Sequence, residues 1–319
     1  MKKNVFLLLI LAVTISCQKD SPESFTEATD QESNVEFSPE LKSGRFSFKN
    51  WEEFNGFYMS LVNLDSDELE AKSFYTTEKD DMEILPAIQG ILNENNEFEV
   101  ADQIIWFNEG NFYELDSEVN GITQKTSPKD LKEIGSVSYT LVNNGETSND
   151  ETEIGLAKTV PVANQHQFWK QKYIEKCGSG KTQGRSPRKF KYVHEVFAQY
   201  LSLGYIRQYS LHLRVKLEYN YRRNRWRLSG ERREININIT NNSFLRNQFG
   251  QVSSSYPSDI QRSIVFSSGC SSHVNRFLNS VEAPGLIPNA YWDVNVSGRI
   301  VEKMLGDDER NRWTDRISW

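Results

Sequence analysis

Residues 211–221 read Leu-His-Leu-Arg-Val-Lys-Leu-Glu-Tyr-Asn-Tyr. Leu211, Leu213, Val215, Leu217, Tyr219 and Tyr221 alternate without a break with His212, Arg214, Lys216, Glu218 and Asn220. Successive side chains of a strand point to opposite faces, so this alternation predicts a strand with one buried and one wet face. Arg222 to Arg225 predicts a basic turn, and Trp226, Leu228, Ile235, Ile237 and Ile239 predict return strands. Trp292, Val294, Val296 and Ile300 alternate with Asp293, Asn295, Ser297 and Arg299. Trp313, Ile317 and Trp319 keep even spacing to the end, so the C-terminus is expected to be a strand laid into a sheet. Repeated period-two segments between Gly, Asn and Ser turns predict an antiparallel all-β domain over 167–319, a sandwich with a barrel as the alternative.

The first half has a different pattern. Asn50-Trp51-Glu52-Glu53 has the form of a capping box. Trp51, Phe54, Phe57, Tyr58, Leu61 and Leu64 then recur at helical spacing. A second short helix is expected from Asp65 to Ala71, capped by Asp65 or Ser66, and a third from Ile84 to Leu92 with Pro86 in its first turn. Phe98, Val100, Ile104, Trp106, Phe112, Tyr113 and Leu115 predict hairpin strands around Asn108-Glu109-Gly110-Asn111. Ser127-Pro128-Lys129-Asp130 predicts a further helix start, with proline at its first position. These elements describe a small α+β domain over 44–142, joined to the β domain by an Asn-, Gly- and Thr-rich linker over 143–166.

Charge divides along the same line. Residues 161–319 hold 25 Lys and Arg against 13 Asp and Glu; residues 1–160 hold 12 against 31, and the chain as a whole carries −7. With 37% hydrophobic residues the composition is globular. The stretch Gln18–Ser43 carries seven acids against Lys19 and Lys42 and almost no large apolar groups, so it is expected to be a disordered tether over 17–43. A flexible coil of its 26 residues reaches on the order of 30 Å.

The first seventeen residues form a secretory signal. Lys2 and Lys3 precede nine apolar residues, Val5 to Val13, and then Thr14-Ile15-Ser16-Cys17. Nine apolar residues are too few to span a bilayer, which takes ~20. The ending resembles the lipobox of bacterial lipoproteins, with Thr14 where that family usually has Leu, Val or Ile. The resemblance implies that residues 1–16 are removed and that Cys17 carries the lipid. Gln18-Lys19-Asp20-Ser21-Pro22-Glu23 resembles the surface-export signal of outer-membrane lipoproteins of Bacteroidota, which implies display at the cell surface; a periplasm-facing anchor is the alternative. Residues 46–116, with Ile-Leu-Asn-Glu-Asn-Asn-Glu-Phe-Glu-Val-Ala-Asp-Gln-Ile at 91–104, are similar to a domain of uncharacterised lipoproteins of Bacteroidota. That likeness implies an address and no chemistry.

Cys177 and Cys270 are the remaining cysteines, both in the basic half of an exported chain, where thiols are usually oxidised. A disulfide between them would close a loop of roughly 94 residues and stabilise the fold by roughly 4–5 kcal/mol; two free thiols are the other reading. The catalytic motifs fail one by one. Gly178-Ser179-Gly180-Lys181-Thr182 lacks the first glycine of a phosphate loop, since Glu175 stands there, and a helix-like segment from Phe168 to Lys176 precedes it. His194-Glu195 opens like a zinc-protease motif, but residue 198 is Ala and the segment is strand-like. Glu94, Glu97, Glu99 and Asp102 fall in turn or exposed-strand contexts, where a solvated face is the ordinary reading.

The functional candidate is the basic face. Arg214 and Lys216 share one side of the strand with His212, and Arg222, Arg223, Arg225 and Arg227 continue past the turn, interleaved with Tyr219, Tyr221 and Trp226. Such a stripe suits a polyanion through charge and stacking; the bland reading is a solvated or docked sheet face. An exported location makes nucleic acid a poor partner and favours an anionic glycan or an envelope protein. The expected function is a lipid-anchored, surface-exposed envelope protein with a binding or structural role, without metal, cofactor or enzymatic activity. The alternative is a glycan-acting hydrolase that uses carboxylates of the first domain. Ligand identity and oligomeric state have no signature in the chain.

Overall fold

The structure is a computed structural model, which describes residues 38–62, 64, 66–74, 84–115, 127–144, 160–170, 188–222, 225–252, 258–266 and 271–319. The chain first forms β1 (Glu40–Lys42) and β2 (Arg45–Phe48), then helices α1 (Trp51–Val62), α2 (Ser66–Lys72) and α3 (Pro86–Ile91). β3 (Glu97–Val100), β4 (Gln103–Asn108), β5 (Asn111–Leu115) and β6 (Lys132–Leu141) follow. A two-residue pair, β7 (Asn143–Asn144) and β8 (Val160–Pro161), leads to β9 (Ala163–Trp169), β10 (Lys189–Leu203), β11 (Ile206–Arg222) and β12 (Arg225–Leu228). Next come β13 (Arg233–Asn241), β14 (Phe244–Asn247), β15 (Gly250–Gln251) and β16 (Ser258–Phe266). The chain closes with β17 (His273–Glu282), β18 (Tyr291–Asp293), β19 (Val296–Met304) and β20 (Trp313–Ser318).

Local chemistry accounts for the first elements. Asn50 Oδ1 accepts the Glu53 amide at 2.9 Å, capping α1 as its spacing predicts. Glu53 in turn accepts from the Lys49 amide at 2.6 Å, one residue earlier than a standard box requires. Phe54, Phe57, Tyr58 and Leu61 bury one face of α1 against Phe48, Ile88, Ile91, Phe98 and Phe112. Pro86 starts α3, where its missing amide donor costs nothing. The turn Glu109-Gly110 has both residues at positive φ (48° and 86°), which matches the twist of the β4–β5 hairpin. The helix expected at Ser127–Asp130 is a single 3₁₀ turn over Pro128–Asp130. Leu131 is already extended and Lys132 pairs with Glu114, so strand pairing wins over propagation of the turn.

The molecule is predominantly β, with the strands arranged in open sheets rather than a closed barrel. The large sheet runs β1-β2-β3-β4-β5-β6-β10-β11-β12, with β9 pairing β10 and β17 pairing β11. β2–β3 is parallel and the other pairs are antiparallel. β6 hydrogen-bonds β5 on one side and β10 on the other, so the sheet continues across the segment expected to separate two domains. Residues 37–319 form one compact unit. Two boundaries shift accordingly. Glu40–Lys42, assigned to the tether, is a strand paired with β2. Ala163–His166, assigned to the linker, belongs to β9, and Phe168 is strand rather than helix.

Fifteen-residue β10 and seventeen-residue β11 form the spine. Val196 of β10 and Leu211, Leu213 and Val215 of β11 pack against Ile235, Ile237, Ile239, Ile300 and Ile317 of a second sheet, β16-β13-β19-β20. This is the expected sandwich, and β20 is the expected C-terminal strand. At the β10–β11 turn, Leu201, Leu203 and Ile206 join the aromatic core under α1 and α3.

Gly135 marks the seam of the large sheet. It pairs Leu203 on β10 and Phe112 on β5, and a Cβ built on it would lie 2.1 Å from the Ser202 carbonyl oxygen and 2.8 Å from Leu203 Cα. Those obstacles are backbone and cannot rotate away. Gly135→Ala is therefore expected to cost about 1–3 kcal/mol, the range for overpacking, read as a lower urea midpoint. An unchanged midpoint would show that β6 can move off β10 without loss.

Candidate functional site

The alternation of β11 is real, yet its even-numbered face is not wet. His212 and Arg214 are each 1% exposed, and the Lys216 side chain is 12% exposed. Cross-strand register explains how charge is tolerated there. Glu195 of β10 lies opposite Arg214, and Lys191 lies opposite Glu218. Lys216 Nζ is 2.9 Å from Glu195 and 3.4 Å from Glu218, Lys191 Nζ is 2.6 Å from Glu218, and Arg214 is 3.7 Å from Glu195. Arg214 also donates to Asn275 Oδ1 (2.9 Å) and the Tyr139 hydroxyl (3.1 Å), with its guanidinium 4.2 Å from the Phe197 ring centroid. Arg214 and Lys216 are thus parts of a buried ionic ladder and leave the expected anion-binding set.

The far end of the spine is more exposed. Arg222, Arg225 and Arg227 are exposed and Tyr221 is 44% exposed, whereas Tyr219 and Trp226 are half-buried. Arg223 lies outside the described residues. Each aromatic ring carries cations. Arg227 stands 3.9 Å and Arg222 5.3 Å from the Tyr221 centroid, and Arg188 stands 5.2 Å from that of Tyr219. Lys191 and Lys189 stand 4.8 and 6.0 Å from Trp226. Both faces of the β11–β12 end therefore show alternating positive charge and π surface. Arg188, Lys189 and Lys191 were missed by the sequence reading, because only the β10–β11 register places them beside the hairpin.

His194 and Glu195, the start of the zinc-protease pattern, point to opposite faces of β10. His194 is fully buried inside the sandwich, stacked 4.3 Å from Trp313, with Nδ1 2.8 Å from Asp315 and Nε2 3.4 Å from Glu302. Glu302 also meets Arg233 Nε at 3.1 Å, and Asn164 donates to Asp315 at 2.9 Å. Burial alone would lower the His194 pKa, but its hydrogen bonds to the Asp315 and Glu302 carboxylates outweigh it and the net shift is upward. His212, stacked on Phe197, has neither ring nitrogen hydrogen-bonded. Burial, reinforced by the Arg214 charge, pushes it down to about 3.

The carboxylates assigned to a solvated face also need correction. Glu97 and Glu99 are 2% and 4% exposed, because β1 and β2 bring cations onto them. Arg45 Nη1 lies 2.7 Å from Glu97, Lys42 Nζ lies 2.7 Å from Glu99, and Ser47 donates to Glu99 at 3.0 Å. Their partners make them a lock on the first strands. Asp102 sits in the β3–β4 turn, with its side chain 91% exposed as expected. Cys17, Cys177, Cys270 and the Gly178–Thr182 loop lie outside the described residues. Among the described residues no group of three or more His, Cys, Asp or Glu is placed to hold a metal, and no helix is long and apolar enough to cross a membrane.

No family model and no curated protein matches the chain. Among solved structures, a DUF4848 family protein from Bacteroides thetaiotaomicron aligns over 88% of this chain and 100% of its own, at 10% identity and a TM-score of 0.18. A likeness at that score carries no argument about fold or function.

Two of the three buried histidines of the described residues, His194 and His212, predict pH effects of opposite sign. The folded pKa of His194 is raised, so its contribution to stability is complete below 6.5, its ordinary value, and is lost as pH rises through the folded value. That of His212 is depressed, so its contribution is present above 6.5 and is lost as pH falls toward about 3, at roughly 1.4 kcal/mol per pH unit. Urea midpoints of His212→Phe should therefore gain on the parent as pH falls from 7 to 5. The parent's advantage over His194→Gln should shrink as pH rises from 6.5 to 9. Parallel pH profiles for the parent and both variants would contradict this assignment.

Proposed function

We propose that this chain is a lipid-anchored envelope protein, displayed at the cell surface, that binds an anionic glycan at the exposed end of β11–β12. One observation carries the ligand assignment. Arg188, Lys189, Arg222 and Arg227 stand against Tyr219, Tyr221 and Trp226 on both faces of one hairpin end. The cations supply attraction to sulfate or carboxylate groups, and the ring faces supply stacking for sugar planes. In this reading the helix-bearing part, 44–142, is an α+β support, and the β part, 167–319, presents the ligand end. The hydrolase alternative loses support from Glu97 and Glu99, since each is held by a cation on a neighbouring strand.

Arg225→Ser/Arg227→Ser tests the ligand site. Exposed ionic contacts contribute ~0.2–1 kcal/mol each, so the pair should weaken binding of a sulfated dextran about tenfold. The parent's affinity should fall steeply as salt rises, because the Debye length shortens to ~8 Å at physiological ionic strength. The melting temperature should hold, since exposed substitutions usually change stability by under ~0.5 kcal/mol. Loss of stability without any low-salt binding by the parent would assign these arginines to the fold instead.

The anchor has its own test. Cys17→Ala is expected to move the protein from the membrane to the soluble fraction, because a lipid chain adds ~0.8 kcal/mol of membrane affinity per buried CH₂. Retention equal to the parent's would contradict lipidation at Cys17.

A further inference from the structure

The opposite end of the spine has the reverse chemistry. The turn after β14, Asn247-Gln248-Phe249-Gly250-Gln251-Val252, and the loop before β18, residues 283–290, contain no Asp, Glu, Lys or Arg, in a chain of which 25% is charged. Phe249 is 85% exposed, Leu286 70%, Tyr291 45% and Val252 37%. β14 and β18 are antiparallel, with Arg246 opposite Tyr291, so the turn leaving one and the loop entering the other lie at the same end of their small sheet. Asn289 Nδ2 ties them by donating to Gln248 Oε1 at 3.2 Å. Of the flanking charges, Arg246 and Asp293 neutralise each other at 2.7 Å, while exposed Glu282, which precedes the second loop, accepts from Asn55 Nδ2 at 3.4 Å.

Both loops are held from behind. The Phe249 amide donates to Asn247 Oδ1 at 2.9 Å, and the Val252 amide to the carbonyl of buried Leu245, also at 2.9 Å. The Ile287 amide donates to the Tyr209 hydroxyl at 2.7 Å, and the Ala283 amide to the Arg207 carbonyl at 2.9 Å. Arg207 and Tyr209 open β11, whereas Tyr221 closes it twelve residues away, about 40 Å along an extended strand. The neutral apolar end and the cation-rich aromatic end therefore occupy opposite ends of one strand.

We infer that Phe249 and Leu286 are membrane-inserting tips, which seat this end of the sandwich in the interfacial region of a lipid bilayer. The inference rests on the proposed lipid anchor, which keeps a bilayer within reach. Separate projecting side chains on rigid turns need a matching pocket for each in a protein partner, whereas acyl chains accommodate them without one. Charge at membrane depth is strongly disfavoured, and neither loop carries any. Tyr291 beside the tips has the amphipathic ring that prefers the headgroup level. Seated this way, the molecule directs the arginine- and tyrosine-rich end of β11–β12 away from the lipid.

The test uses the full chain on neutral phosphatidylcholine vesicles, where the anionic-ligand site has nothing to bind. Phe249→Trp adds an indole to an open position, and its emission is read as the difference from the parent. The expected result is a blue shift on vesicle addition and quenching of the added emission by brominated acyl chains, insensitive to salt. Leu286→Trp repeats the reading on the second loop, so that misfolding of one variant does not decide the matter. Leu41→Trp, at a site 63% exposed on β1, is expected to stay accessible to aqueous acrylamide. If both introduced tips remain in water, or if all three positions quench alike, the inference fails. Mass spectrometry of the peptide carrying Cys17 records lipidation separately, so a failed anchor and a failed insertion give different results.

Discussion

Burial of β10 and β11 on both faces is the constraint from which the rest of the structure follows. One face packs Val196, Leu211, Leu213 and Val215 onto the second sheet. The other carries Glu195, Arg214, Lys216, Glu218 and Lys191 in a chain of ion pairs. An unpaired charge so placed costs several kcal/mol. Pairing across the register makes the polar face tolerable, and it also pins that register, because a one-residue slip would turn every charge toward the wrong side.

The same logic governs the interior of the sandwich. His194 is acceptable at full burial because Asp315 and Glu302 occupy its two ring nitrogens, with Arg233 beside Glu302. At the start of the large sheet, Arg45 and Lys42 do the equivalent for Glu97 and Glu99. These three buried clusters contain residue types that a motif search reads as chemistry. Their geometry is that of ion pairs, in which each charged group faces an oppositely charged partner that a substrate or metal would need to displace.

The proposed function falls at two ends of the sandwich. The described interior is filled by pairing and packing, and the β10–β11 turn lies under α1 and α3, while the β11–β12 end and the loops at 247–252 and 283–290 reach solvent. One end is cationic and aromatic, and the other is neutral and apolar. Under the proposed anchor and ligand site, this polarity would set the molecule upright, with ligand contact at the end farthest from the bilayer.

Alternation at 211–221, the Asn50 cap, the Glu109-Gly110 turn and the final strand were all legible in the chain, because each is set by interactions between residues near in sequence. The exposure of Arg222, Arg225 and Arg227 followed from the same local pattern. Tertiary structure decided the rest. Sequence periodicity distinguishes two faces of a strand but does not say whether water or protein covers the polar one, and for β11 the answer was protein. Glu195 and Lys191 are distant in sequence from Arg214 and Glu218, so the ladder arises only once the β10–β11 register exists. The neutral end was equally invisible, since Phe249 and Leu286 are ordinary loop residues until the pairing of β14 with β18 sets their turns side by side. Local hydrogen bonding and side-chain period are properties of the sequence; which surfaces end up facing each other is a property of the fold.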